Sequence, residues 1–321
     1  SKEKSIKKIH SQINHWASSQ RIIMARCWYL ANKMKFTNIY NLEDIIVNAL
    51  MHDEYNSGGA DYSMTTLLKA PQQIILEREN KNALTQDVSD LIFSRTGTWN
   101  HEGLEKGNKD NKDIICEKRH TIVVNGKNIS GATDVYHRIN HEVIDYKTTS
   151  YYAVKDALNG GLIKPDWEKQ LNGYAYMWRA NGFTVRGLKI IAILRDWSRA
   201  TSMRDSNYPR TPIVSLNVPL WKEDEQHDFI VERVGVHELA KNEYEMTGEL
   251  PQCTDLERWK VPDKWALMNK GKKRALKLYT SEEDAKENMG ENNHIEFREG
   301  KANKCESYCP ANQFCSQFLG K

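Results

Sequence analysis

No apolar run in these 321 residues approaches the roughly 20 that a membrane helix needs, so nothing in the sequence suggests a span. The segment Ser1 to Lys8 is charged and no apolar stretch of signal-peptide type follows it, so the expectation is a cytoplasmic protein. Internal repeats and low-complexity tracts are also missing, which excludes a solenoid or a fibrous array. Neither sign of charge dominates: 46 basic and 43 acidic side chains leave a net charge of +3, and a polyanionic partner must be met by a local basic surface. Cysteine is scarce, with six in all, yet three of them fall at 305, 309 and 315. In a reducing compartment such crowding points to metal or cluster ligation rather than disulfides. The 39% hydrophobic content, with tryptophans scattered through it, fits a globular chain of one large or two modest domains.

Between Lys4 and Lys33, Ile6, Ile9, Ile13, Trp16, Ile23, Cys27 and Leu30 recur mostly at three- and four-residue steps, which predicts one or two amphipathic helices. Another helix is expected over Leu42 to Met51, and Asn56-Ser57-Gly58-Gly59 marks a boundary. Residues 1–60 thus read as a helical extension, 61–250 as the main domain and 251–321 as a cysteine-rich terminal segment. Within the main domain helices are expected over Met64 to Leu68, Gln72 to Glu79 and Thr85 to Ser94, with a short one from Gly97. The period then changes. Ile114 to Val124 is rich in β-branched residues, Asn125-Gly126 signals a hairpin, and Ile129 to Tyr136 and Glu142 to Thr148 continue an antiparallel meander. A helix opens at Pro165-Asp166, with Asp166 as expected N-cap, and stops at Asn181-Gly182. Lys189 to Leu194 and Ile213 to Val218 read as strands, Arg199 to Pro212 as a loop, and Glu225 to Thr247 as a long helix. This order predicts an α/β fold with a central mixed sheet flanked by helices.

The chemistry centres on Ile144-Asp145-Tyr146-Lys147. Strand side chains alternate faces, so Asp145 and Lys147 share one. If Arg138 to His141 forms the turn, the hairpin is centred between residues 139 and 140 and Asp134 falls directly opposite Asp145. Two carboxylates so paired destabilise a sheet unless a cation lies between them, and Mg²⁺ or Mn²⁺ suits oxygen ligands. Two helical pairs share faces in the same way, His101 with Glu105 and Gln170 with Tyr174.

In this order and on these elements, GTWNHEGLE (97–105), GATD (131–134), IDYK (144–147) and QLNGY (170–174) resemble the PD-(D/E)xK nuclease superfamily, in particular its RecB-like exonuclease branch. SMTTLLKAP (63–71) looks like the helix that opens such domains, and phage-encoded members are the nearest in kind. The resemblance implies a restriction-endonuclease-like core and a Mg²⁺- or Mn²⁺-dependent deoxyribonuclease, acting as an exonuclease in DNA recombination, repair or replication. It also implies roles. His101, Asp134, Asp145 and the Tyr146 carbonyl hold the cation, Lys147 orients or deprotonates the attacking water, and Gln170 and Tyr174 hold the phosphate or Lys147. Glu105 is a further ligand or supports one, and the products carry a 5′-phosphate and a 3′-hydroxyl. DNA is the partner, assembly into a homo-oligomer or with recombination or replication proteins is compatible with this reading, and phage encoding would place the protein in the host cytoplasm. A CRISPR-associated or RNA-directed nuclease would share the chemistry. The rival from another class is a nucleic-acid-binding module with a degenerate site and a structural zinc.

Cys305, Cys309 and Cys315 need a fourth ligand, and Cys253 is the best placed; Cys27 and Cys116 sit in regular elements and read as buried thiols. Four thiolates suit tetrahedral Zn²⁺ or a 4Fe-4S cluster. Several RecB-like nucleases fasten their nuclease domain with such a cluster, so the resemblance favours iron and sulfur over zinc. Lys270, Lys272, Lys273 and Arg274 form the densest basic run, a candidate for sequence-independent phosphate contacts.

Overall fold

The computed structural model describes residues 35–52 and 58–320. The helices expected between Lys4 and Lys33, with Cys27 among them, and Asn56-Ser57 of the expected boundary lie outside the described residues. Among those described, no helix is long and apolar enough to cross a membrane.

The architecture is a mixed central sheet with helices packed on it. Strand β1 (Lys35–Thr37) is followed by helix α1 (Asp44–Met51), β2 (Tyr62–Ser63), α2 (Met64–Leu67) and α3 (Pro71–Glu79). Then come β3 (Thr85–Asp87), α4 (Ile92–Gly107) and the meander β4 (Ile114–Val124), β5 (Lys127–His137) and β6 (Glu142–Thr149). Helix α5 (Pro165–Ala180), β7 (Gly187–Leu194), α6 (Arg199–Arg204), β8 (Ile213–Val218) and the long α7 (Glu223–Thr247) complete the main body. The large sheet runs β2-β5-β6-β7-β8 with β4 on β5; β6–β7 and β2–β5 are parallel and the other pairs antiparallel.

Local chemistry explains the frame. Asn125 and Gly126 both adopt positive φ, 49° and 73°, which a tight two-residue hairpin turn requires. Along β7, Leu188, Ile190, Ala192 and Leu194 are buried and alternate with half-buried neighbours, as a strand covered mainly on one face demands. Leu171, Tyr174, Ala175 and Trp178 of α5 pack in the same core cluster. Two glycines allow close approach. A Cβ on Gly131 would sit 2.7 Å from Met177 Sδ and 2.8 Å from Tyr174 Cε1, so the bare backbone of β5 admits α5. Gly173 faces the fully buried Met64 in the same way. Gly173→Ala should therefore overpack the α2–α5 contact and lower stability by about 1–3 kcal/mol, read from urea denaturation.

Three expectations are corrected. Thr85 to Ser94 is not one helix: Thr85–Asp87 pairs in parallel with Lys35–Thr37, a 3₁₀ turn covers Val88–Leu91, and α4 then runs unbroken through Gly97. Asp87 decides this, because its carboxylate accepts from Thr37 Oγ1, Ile39 N and Ser89 N and so ends one element while capping the next. The N-cap of α5 is Lys164, not Asp166, since Pro165 at the first helical position has no N–H to satisfy. The segment expected as a loop from Arg199 begins as helix α6, whose Ser198 cap accepts from Thr201 N.

The terminal segment holds regular structure that the pattern reading did not anticipate. Strands β9 (Lys264–Asn269), β10 (Ala275–Tyr279) and β11 (Asn293–Arg298) form a separate sheet in the order β10-β9-β11, with helix α8 (Glu282–Glu287) in the crossover.

Candidate metal centre

The β5–β6 register is that of a hairpin centred between residues 139 and 140: Val135 pairs with Ile144, Tyr136 with Val143 and His137 with Glu142. Continued by one residue, it sets Asp134 opposite Asp145. The ladder stops at this point, and Asp134 Oδ2 accepts from the Tyr146 backbone N–H at 2.6 Å. A carboxylate thus occupies the place of a strand carbonyl.

Helix α4 brings His101 over the strand ends. Asn100 Nδ2 donates to Thr148 Oγ1 at 2.8 Å and pins the helix to β6. His101 Nε2 lies 3.3 Å from the Tyr146 carbonyl and Nδ1 lies 3.5 Å from Asp134 Oδ1. If Nε2 carries the proton toward the carbonyl, the Nδ1 lone pair faces a carboxylate oxygen. Two lone pairs so close need a proton or a cation between them.

Asp145 is only 3% exposed, and its Oδ2 has no hydrogen-bond partner although Lys147 Nζ stands 2.7 Å away, off the hydrogen-bonding angle. Lys147 Nζ donates instead to Gln170 Oε1 at 2.9 Å, and Gln170 Nε2 donates to the Tyr174 hydroxyl at 3.1 Å. One turn of α5 therefore holds the amine of β6 through a relay of three side chains. Burial, then the neighbouring Asp145 carboxylate, push Asp134 up to about 8. Burial likewise holds His101 below the ordinary imidazole range, against the pull of Asp145.

Of the residues named from sequence, His101, Asp134, Asp145, Tyr146, Lys147, Gln170 and Tyr174 converge here. A residue not anticipated joins them. His101, Glu117 and Asp134 offer ligand atoms all within 4.8 Å of one another, and such a group can hold a divalent cation. Glu105 is not in that trio, though its charge acts on Glu117 and Cys116. The signal for Glu117 was present: mirroring the first hairpin about Asn125-Gly126 sets residue 117 opposite 134, as the observed β4–β5 register does.

A second group forms apart from this site. Cys253, Cys305, Cys309 and Cys315 line one cavity, roofed by Gln72, Gln73 and Leu76 of α3. Cys253 Sγ lies 3.0 Å from Gln72 Oε1, and the Cys253 backbone exchanges two hydrogen bonds with Gln317. Burial pushes Cys253 up to about 12 and raises Cys309 as well, with the other cysteines adding to each. Cys116 is half-buried in β4 and is not part of the group. The basic run Lys270 to Arg274 forms the exposed tip between β9 and β10.

No family model matches the chain, and no curated protein matches it. Solved structures to which this chain is similar include SSO0001, 20% identical over 60% of this chain and 85% of that one, with a TM-score of 0.38. Another is a phage-related exonuclease from Haemophilus somnus 129PT, 12% identical over 65% of this chain and 86% of that one, with a TM-score of 0.29. What fold and geometry define is a mixed α/β protein with a histidine–carboxylate group able to bind a divalent cation.

Proposed function

We propose that the protein is a divalent-metal-dependent DNA nuclease of the PD-(D/E)xK type, RecB-like, cutting phosphodiester bonds as an exonuclease. The observation that carries this reading is the juxtaposition of Asp134 and the buried Asp145 with a lysine two residues on, whose amine is held by Gln170. The donor set fits Mg²⁺ or Mn²⁺: carboxylate oxygens, a backbone carbonyl and one imidazole, with a buried oxygen on Asp145 lacking a hydrogen bond. His101, Asp134, Asp145 and the Tyr146 carbonyl would hold the ion. A cation there supplies Lewis acidity, offsetting charge on the phosphate and acidifying a nearby water.

The chain's own groups do the rest. Lys147 orients the attacking water and holds or takes its proton at Nζ. Gln170 fixes that amine, and Tyr174 fixes Gln170. Burial of Asp134 and Asp145 keeps competing solvent from the carboxylates and strengthens their interaction with positive charge. The test is degradation of labelled DNA with Mg²⁺ present or chelated, on substrates with free and blocked ends. An exonuclease requires Mg²⁺ and a free end; cleavage of blocked DNA would refute the exonuclease reading, and no cleavage with Mg²⁺ would refute the nuclease.

The same site predicts a pH dependence of stability. A carboxyl raised in the folded state stabilises it fully below the ordinary carboxyl value, and that contribution is lost as pH rises through the folded value, about 8 for Asp134. Relative to Asp134→Asn, the cation-free wild type should therefore lose melting temperature as pH rises towards about 8, a comparison in which the opposite trend from the burial-lowered His120 and His237 is common to both proteins. Saturating Mg²⁺, which binds the ionised form, should flatten that slope. A melting-temperature difference between wild type and Asp134→Asn that does not change with pH would contradict the assignment.

For the four cysteines we propose a 4Fe-4S cluster. Four thiolates lining one cavity are the ligand set that such a cluster takes. The cluster would tie α3 to the terminal segment, where Leu76 and Leu84 already pack on Ala311 and Cys315. The basic tip at Lys270, Lys272, Lys273 and Arg274 is the proposed contact with the DNA backbone.

A further inference from the structure

Helix α4 buries none of its sixteen residues, although Ile92, Phe93, Trp99 and Leu104 are apolar. It is pinned to the sheet at Asn100, by the bond to Thr148. Helical spacing puts Phe93, Gly97 and Asn100 on one stripe, with His101 at its edge. Among the described residues, a Cβ on Gly97 would meet no atom of another element within 4 Å. From the metal centre toward its N-terminus the helix therefore presents a bare glycine and then Phe93, which is 63% exposed.

The strand ends supply the facing groups. Thr149 pairs with Leu194 at the end of the β6–β7 ladder, and the exposed Arg195 follows directly. Its guanidinium lies 4.2 Å from the centre of the Phe93 ring, a cation–π contact that holds the fork in place. The neighbouring carboxylate, Asp196, is engaged with the Tyr151 N–H at 2.7 Å. Tyr151 also packs on Tyr208, ring centres 4.5 Å apart, and so fixes the 3₁₀ turn Tyr151–Ala153 with Tyr152 85% exposed. Ala192 is level with Lys147, so Arg195 stands about 10 Å farther along the strands, three residues at roughly 3.3 Å each. A nucleic-acid strand whose cut phosphate sits by Lys147 spans that distance within a few nucleotides.

An arginine fork meets a phosphate through paired N–H groups, and an exposed aromatic ring or guanidinium plane accepts the face of any base. Within a duplex those faces are already stacked on one another. The combination therefore fits a strand whose bases are unpaired, and phosphate contact with stacking reads no sequence. Resting on the nuclease reading above, which it narrows to a substrate class, we propose that Phe93 and Arg195, with Tyr152 at the rim, form a nucleotide subsite for single-stranded DNA. The strand would run from this subsite over Gly97 to the metal centre.

Binding is read on the full chain by fluorescence anisotropy of a labelled oligothymidylate, with Mn²⁺ present and Lys147→Ala as the background so that the strand stays uncut. Phe93→Ala should weaken binding by about tenfold, within the range for losing one base–aromatic stack, and leave the salt dependence unchanged. Arg195→Ala should weaken it and reduce the slope of log affinity against log salt by about 0.7, the value for one phosphate on a single strand. Gly97→Leu carries the folding control. Leucine inside a helix is favoured over glycine, so this variant should melt no lower than its parent, yet its side chain fills the open space and affinity should fall at least as far as in Phe93→Ala. Affinity unchanged by Phe93→Ala or by Gly97→Leu overturns the subsite, as does tighter binding of a blunt duplex or of oligouridylate than of oligothymidylate. The nuclease reading fails separately: single strands gripped through Phe93 and Arg195 but never cut by wild type with Mg²⁺ would keep the subsite and remove the enzyme.

Discussion

Asp145→Asn should lower Mg²⁺-dependent DNA cleavage by about 10³-fold or more while leaving the fold intact, the size expected when preorganised charge stabilisation is lost. Asparagine matches aspartate in shape, and its Oδ1 can still accept from the Lys147 amine, which stands 2.7 Å from the carboxylate. The variant thus removes the charge that attracts a cation without opening a cavity. Lys147→Ala should cost about 10²–10⁴-fold, the range for losing a proton-handling group, with Mn²⁺ binding nearly unchanged. The two substitutions therefore separate ion capture from proton management. Gel-based turnover of end-labelled DNA, with circular dichroism as the folding control, reads both. Cleavage undiminished in either variant would remove the site from the chemistry.

Cys309→Ser should abolish the broad visible absorption of anaerobically purified protein and lower its melting temperature by about 10 °C. That is the shift about 4 kcal/mol produces at 2–4 °C per kcal/mol. The reasoning lies in the packing. Cys309, Cys315, Ala311 and Phe318 share a small apolar cluster with Leu76 and Leu84, and α3 closes the cavity with Gln72 and Gln73. Loss of Cys309 would leave three thiols around the cavity, with Cys253 raised by burial and no cation to draw its proton off. Colourless protein carrying stoichiometric zinc would overturn the cluster, and an unchanged melting temperature would overturn its structural role.

Much of the candidate site is legible in the sequence. The hairpin around Arg138 to His141 fixed a register that places Asp134 against Asp145, because a strand period of two leaves one face for both or for neither. The Gln170–Tyr174 pair followed from helical spacing, and α5 delivers both to Lys147. Glu117 was passed over because a single glutamate in a strand looks like solvated surface. Its significance needs two registers read together and a backbone turned left-handed. Thr85–Asp87 is illegible as a strand for a related reason: its partner lies about fifty residues earlier, and only Asp87 bonding to Thr37 and Ile39 reveals it.

By itself the sequence determined what local periodicity and turn chemistry can encode. That covers the meander, the alternation that gives Asp145 and Lys147 a common face, the helices carrying His101 and Gln170, and the grouping of the terminal cysteines. Only the tertiary structure decided which residues from separate elements meet: Glu117 with His101, Cys253 with Gln72, the terminal sheet between Cys253 and Cys305. Those meetings depend on burial and chain closure across long separations, and no local pattern records them.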